Sequence, residues 1–169
     1  IGKTMGNNSN IHIRYMHEQD LPDVVQIQYR AHAKSLHESP DVFYHKQSIF
    51  NDGCFVAECD SGICGYLFSH PWITEYAVPL NSIYSLPDVC NTFYIHDCSV
   101  DPDFQKQGIG LRLFIESKKT ALTLNYHSLQ LTCIKGMQNY WTNLGFTIVP
   151  GVATRCYGDN ACLMHSRCA

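Results

Sequence analysis

The sequence predicts an α/β domain of the α+β kind, built on one mixed, largely antiparallel sheet with helices on both faces. Three observations predict it. The 169-residue chain has the length of one domain. Apolar periodicities of two and of 3.6 residues follow one another along it in the order βαα, three strands, then αβαββ. A glycine-bearing turn at 105–110 joins the end of a strand to a long amphipathic helix.

Each element has its own signal. Residues 1–10 are polar and read as a disordered or tag-derived N-terminus, with Met5 as the native start, and 11–169 read as the domain. Ile11, Ile13 and Tyr15 alternate with His12 and Arg14, the pattern of a half-buried strand. Asp20 followed by Pro22 and Asp23 marks a helix start, with Leu21, Val24, Val25, Gln28 and Ala31 at helical spacing. Ser39-Pro40-Asp41 starts a second helix on the same logic. Strands at 54–59 and 63–69 flank Asp60-Ser61-Gly62, where Gly62 accepts a positive φ in a hairpin turn. Residues 71–90 lack a clear period and read as a functional loop. A strand at 92–100 and a helix from Ile109 to about Asn125 follow. After them come a strand at 128–134, a short helix at 137–144 stopped by Gly145, and strands at 146–149 and 161–165.

Composition narrows the function classes. The chain is 45% hydrophobic and 16% charged, enough for a packed core. A net charge of −3 argues against a generic grip on nucleic acid. No apolar run approaches the ~20 residues of a membrane span. Nine cysteines without a CxxC pair or signal peptide read as reduced, cytoplasmic thiols. Cys156, Cys162, His165 and Cys168 invite a metal reading. Strand alternation would put Cys162 and Cys168 on one face and His165 on the other, so no metal is expected.

The informative segment runs from His96 to Gly110. Here a strand enters a turn whose glycines, Gly108 and Gly110, let backbone N–H groups curl inward at a helix start. That is an anion cradle suited to a pyrophosphate, with Lys106 adding a cation. The third glycine of the dinucleotide fingerprint is missing.

Gln105, Gly108 and Gly110 match Q/R-x-x-G-x-G/A after a strand, the signature of the GNAT superfamily of acetyl-CoA-dependent N-acetyltransferases, which the chain resembles from Ile11 to about Met164. Tyr140-Trp141 and Leu144-Gly145-Phe146 resemble the family's later F-Y/W-x-x-x-G-F. Ser69-His70-Pro71-Trp72, His96-Asp97 and Tyr157-Gly158 look like a small GNAT subgroup of unassigned substrate.

The resemblance implies a sheet with two splayed strands and acetyl-CoA between them. Pantetheine would pair with Cys98, Ser99 and Val100. The pyrophosphate would rest on Gln105, Lys106, Gln107, Gly108, Ile109 and Gly110, with Met137 and Trp141 beside the cofactor. His96 stands where related arylalkylamine N-acetyltransferases carry a strand histidine that acts as base through water. It suits the task, because an imidazole near ~6.5 is mostly neutral at pH 7–8. Strand alternation puts Tyr94, His96 and Cys98 on one face, and Asp97 on the other as a buried hydrogen-bond acceptor. The family's usual acid is a tyrosine, and Trp141 stands at that position. Water, Tyr140 and Tyr157 are then the candidate proton sources for the CoA thiolate, and Tyr94 joins His96 and Tyr140 as a candidate catalytic residue. By family analogy the acceptor pocket includes His70, Trp72, Glu75, Tyr76 and Tyr84. The reading is transfer of acetyl to a small-molecule or peptide amine by a monomer or homodimer. Two alternatives stand beside it: a ping-pong enzyme using Cys98, and a non-catalytic acyl-CoA sensor.

Overall fold

The structure, a computed structural model, describes residues 10–168; the expectations for residues 1–9 lie outside them. Seven strands form one open sheet: β1 (His12–Tyr15), β2 (Cys54–Cys59), β3 (Gly62–Trp72), β4 (Thr92–Val100), β5 (Ser128–Cys133), β6 (Thr147–Val149) and β7 (Cys162–Arg167). Their order across the sheet is β1-β2-β3-β4-β5-β7-β6. The β4–β5 pair is parallel and the others are antiparallel. This is the mixed, mostly antiparallel sheet that the sequence predicts.

Four α-helices cover both faces: α1 (Leu21–Ala31), α2 (Pro40–Ile49), α3 (Ile109–Thr123) and α4 (Gln138–Asn143). One core packs Leu21, Val24 and Ile27 of α1 and Phe43 of α2 against Val56, Tyr66 and Phe68. The other packs Ile109, Leu113 and Phe114 of α3 and Trp141 of α4 against Phe55, Leu67, Phe93 and Ile95. Odd and even positions of β2 therefore serve different helices, as pleating requires.

Several local expectations change. Asp20 precedes α1, but its carboxylate makes no cap bond to that helix. It turns back to Arg14 through contacts of 2.8 and 2.9 Å and to the His17 N–H at 2.8 Å. A two-pronged charged partner outweighs a single helix N–H. Ser39 does cap α2, accepting from the Val42 N–H at 3.4 Å. Cys168 lies beyond β7, and among the described residues no group of three His, Cys, Asp or Glu is placed to hold a metal. Nor is any described helix long and apolar enough to cross a membrane.

Two irregularities position the site. β3 continues past Ser69 through Trp72, three residues further than the periodicity suggests. Pairing with β2 has ended at Phe68, so the missing N–H of Pro71 leaves no gap in a ladder. This extension sets His70 opposite Tyr94 and Trp72 opposite Thr92. The second irregularity is a bulge in β4: Phe68 pairs with Asp97 and Ser69 with Ile95, leaving His96 as the extra residue.

Candidate active site

The cleft begins where β4 and β5 part. They pair only at Phe93–Leu129, Tyr94–Gln130 and Ile95–Leu131, although β4 runs on to Val100 and β5 to Cys133. From His96 onward the β4 edge that faced β5 is free of it. A free strand edge is a backbone template for an extended ligand. The turn at 105–108 closes one end. Lys106 and Gly108 both have left-handed backbone, with φ of 62° and 78°. Alternating left-handed residues turn successive N–H groups into one concavity. A Cβ at Gly108 would meet nothing within 4 Å. At Gly110 it would lie 3.5 Å from the Tyr140 hydroxyl and 3.8 Å from Val100 Cγ2. The cleft therefore offers a free strand edge, a turn with two left-handed residues and open space over Gly108.

The bulge decides what each face of β4 carries. It breaks the alternation that would group Tyr94, His96 and Cys98. His96 and Tyr94 face the α1/α2 side. Cys98 and Val100 pack instead with the α3 core, the side of Phe93 and Ile95. Asp97 and Ser99 swap to the α1/α2 side. The sequence carries a sign of this: the apolar positions 93, 95, 98 and 100 change parity between 95 and 98.

On the α1/α2 side, His96 Nδ1 lies 2.9 Å from the Tyr84 hydroxyl, which also lies 3.1 Å from His70 Nε2. His70 Nδ1 lies 2.8 Å from the Pro71 carbonyl. Trp72 and Tyr94 close the ring cluster, with centroids 5.4 and 5.6 Å from that of His70. Burial, then Lys46 and His70, hold the His96 imidazole well below its ordinary pKa. Burial lowers His70 to about 4. Both rings are therefore neutral at pH 7. His96 Nε2 is buried and has no hydrogen-bond partner among the described residues.

One buried ion pair and one half-buried histidine–carboxylate contact brace this face. Lys46 and Glu38, almost wholly buried, pair with each other, and Lys46 stands over the Phe43 ring at 4.7 Å. Glu38 also accepts the Asn81 N–H at 2.7 Å, pinning the 73–91 segment, while His45 holds the backbone of Tyr84. Asp97 accepts from Tyr66 at 2.8 Å and lies 3.7 Å from His32 Nε2. Burial opposes that carboxylate's charge, but His32, Lys46 and Tyr66 leave its pKa below the ordinary value. Burial likewise works against His32, and Asp97 raises it on balance. Asp97 is thus a braced acceptor on the side opposite to that predicted. Sequence reading missed the Lys46–Glu38 pair, although a lysine three and four residues beyond Phe43 and Val42, on the core side of α2, is its signal.

On the α3 side, burial and then the Asp97 charge push the Cys98 thiol up to about 12. His96 serves the other face, so the geometry offers Cys98 no base. Burial and then Cys98 raise Tyr140, whose hydroxyl stands at the cleft beside Gly110. Trp141 packs into the core against Phe114 and Phe146, with centroids 6.0 and 5.5 Å apart. Tyr140 therefore stands where a donor to the cleft was expected, while Trp141, expected beside the cofactor, packs into the core.

Other expectations part from the geometry. Tyr94 is fully buried, its hydroxyl 2.6 Å from Thr132 Oγ1 and 3.4 Å from the Val78 N–H, so it ties β4 to β5. Glu75 and Tyr76 lie on the surface, Tyr76 at 64% exposure, outside the ring cluster. Their backbone is engaged instead: the Glu75 N–H donates to Gln130 Oε1 at 2.9 Å, and the Tyr76 carbonyl accepts from Trp72 Nε1 at 3.1 Å and Gln130 Nε2 at 2.9 Å. Tyr157 is committed to the Val78 carbonyl at 2.6 Å. Met137 stands exposed at the start of α4. Gln105 donates to the Val100 carbonyl at 3.1 Å and so ties the turn to the end of β4.

The model of the acetyltransferase (GNAT) family matches residues 21–146. Among curated proteins, none matches the chain in sequence. Solved structures share its fold. The GphF GNAT-like decarboxylase, in complex with isobutyryl-CoA, superposes with a TM-score of 0.81 at 12% identity, over 94% of this chain and 100% of that one. The loading GNATL domain of CurA from Lyngbya majuscula gives 0.80 at 12% identity, over 94% and 98%. The ribosomal-protein-S18-alanine N-acetyltransferase of Escherichia coli gives 0.70 at 18% identity, over 94% of each chain.

Proposed function

The chain belongs to the acetyltransferase (GNAT) family, and from that premise we propose that it moves an acetyl group from acetyl-CoA to a primary amine in one ternary complex, with His96 as the base. The observation that carries this reading is the bare, buried Nε2 of His96 at the point where β4 and β5 separate. A free alkyl amine has a pKa near ~10 and arrives protonated, so its nitrogen needs a base before it can attack the thioester carbon. His96 is neutral and positioned to take that proton, directly or through one water.

The remaining parts have separate tasks. The free edge of β4 at Cys98, Ser99 and Val100 pairs with pantetheine, and a backbone N–H there meets the thioester oxygen as negative charge develops on it. The 105–110 turn holds the pyrophosphate on N–H groups. Tyr140, at the mouth of that turn, donates to the departing thiolate. A thiol near ~8.5 leaves tolerably without an acid, so this donor helps rather than decides. His70, Trp72 and Tyr84 wall the acceptor side. The sensor alternative was motivated by Trp141 standing where the family has tyrosine, and Tyr140 at the cleft removes that motive.

A screen of acetyl-CoA consumption over amines, polyamines and peptides tests this reading. It expects turnover with at least one amine class, abolished by His96→Ala. Tight acetyl-CoA binding without turnover on any amine would contradict it.

A second reading is decarboxylation of a carboxylated acyl-CoA. It is favoured by the TM-score of 0.81 to the GNAT-like decarboxylase, against 0.70 to the alanine N-acetyltransferase. CO2 release from malonyl-CoA without any amine would support it.

A further inference from the structure

The hydrogen bonds on the α1/α2 face of β4 fix the position of every proton in them. The Pro71 carbonyl has no proton to give, so His70 Nδ1, 2.8 Å away, must donate. A neutral His70 that carries its proton on Nδ1 has a lone pair on Nε2. The Tyr84 hydroxyl, 3.1 Å from that nitrogen, spends its only proton there. Its oxygen, 2.9 Å from His96 Nδ1, is then an acceptor, and His96 Nδ1 carries the proton. The opposite direction, with Tyr84 donating to His96, would leave an oxygen and a nitrogen lone pair facing each other at 3.1 Å. By elimination, the neutral His96 ring presents a bare lone pair at Nε2, the buried atom without a partner.

We propose that Tyr84 is a positioning residue that, anchored through His70 to the Pro71 carbonyl, locks His96 in the Nδ1–H tautomer so that the site receives a hydrogen-bond donor at Nε2. This deepens the reading of His96 as base and narrows the acceptor class. An amine N–H, or a water bonded to one, meets the lone pair with a proton. A carboxylate, which only accepts, meets it lone pair to lone pair. Taking up a proton at Nε2 leaves His96 an imidazolium whose Nδ1–H still donates to Tyr84, because His70, lowered to about 4 by burial, is no onward acceptor. No charge is created beyond the one proton taken up. Tyr84 reaches the site from the 73–91 segment, which Glu38 pins at Asn81 and His45 pins at Tyr84 itself.

Long-range 1H–15N spectra of the histidine rings of the 15N-labelled full chain at pH 7 test this without substrate. His96→Gln identifies the His96 signals. The expected result is a protonated Nδ1 and a bare Nε2; a proton on Nε2 would overturn the proposal. His70→Leu leaves Tyr84 free to donate to His96, and the proton is expected to move to Nε2. His70→Gln restores an acceptor for Tyr84, and the proton is expected to stay on Nδ1. Identical His96 spectra in the two variants would overturn the proposal. Tyr84→Phe should lower kcat about 10–100-fold, part of the ~10²–10⁴ that a positioned base supplies, with little change in the KM for acetyl-CoA. An unchanged kcat in that variant would also overturn it. Should Tyr84→Phe fail to fold, the wild-type spectrum and the two His70 variants still decide. The spectra do not depend on turnover, so a protein that acetylates no amine would sink the proposed function and leave the tautomer to be judged separately.

Discussion

The two faces of β4 differ in kind. On the α1/α2 side, Tyr94, His96, Asp97 and Ser99 meet a dense set of polar side chains: His32, Lys46, Tyr66, His70 and Tyr84. On the α3 side, Cys98 and Val100 meet apolar core, a glycine turn and the Tyr140 hydroxyl. One face holds protons in place, and the other is the one to which the proposed function assigns the ligand backbone and its phosphates. A single bulged residue, His96, makes the difference possible, because it lets Asp97 join the polar face and sends Cys98 to the α3 face. A two-substrate reaction needs this division: an acceptor approached by a base on one side, and a thioester held along the strand on the other.

The comparison can be broken on either side. The largest effect is expected from Lys46→Met. It leaves the buried Glu38 carboxylate with the Asn81 N–H but no countercharge, and removing one partner of a buried pair costs about 3–5 kcal/mol. Urea unfolding should show that loss, and a midpoint unchanged from wild type would mean the pair does not brace the polar face. On the cofactor side, Gly110→Glu tests the phosphate turn. A Cβ fits there at ordinary contact distances, so the variant should fold while its carboxylate opposes the polyanion. CoA affinity by calorimetry should fall at least ~100-fold, or about 2.7 kcal/mol. Tyr140→Phe should lower kcat by about tenfold with no change in CoA affinity, because a thiolate leaving group near ~8.5 gains only modestly from a donor. The smallest effect belongs to Cys98→Ala. Its thiol lies across the strand from His96 and is pushed up to about 12, so kcat should stay within about threefold of wild type. A trapped acetyl-cysteine at position 98 would instead revive the ping-pong route.

Much of the frame was legible in the residues. The apolar runs at 54–59 and 92–95 and the stripe of Leu113, Phe114, Ser117 and Ala121 are local signals, and local signals set the elements. The glycine turn was legible for the same reason. The site was legible only in part. His96, His70 and Tyr84 were each nameable, but their contact depends on two non-local facts: the extension of β3 through Pro71 and the path of the 73–91 segment. Neither has a period. Glu75 and Tyr76 illustrate the cost: aromatic and acidic character marked them for the pocket, yet a left-handed backbone at Glu75, with φ of 67°, accompanies their turn to the surface. The bulge lies between these cases. Its parity change is written in the apolar positions, but only a partner strand tells whether such a change is a bulge or an end. Trp141 was set beside the cofactor rather than in the core because a helix of one and a half turns has too few core positions to fix its rotation from sequence.

The most direct test of His96 as a base that burial keeps neutral is the pH dependence of kcat for wild type and His96→Gln with one accepted amine. His96 has a depressed pKa, from burial first and then from Lys46 on α2 and His70 on β3, with the neutral Tyr84 and Tyr94 completing its surroundings. It is therefore a free base above that value and is lost as a base only when the pH falls through it. Wild-type kcat should hold through neutrality and decline with a midpoint below the ordinary ~6.5 of histidine. His96→Gln should be slower by about 10²–10⁴-fold and lack that decline. A variant that keeps both the wild-type rate and the same acid limb would contradict the account.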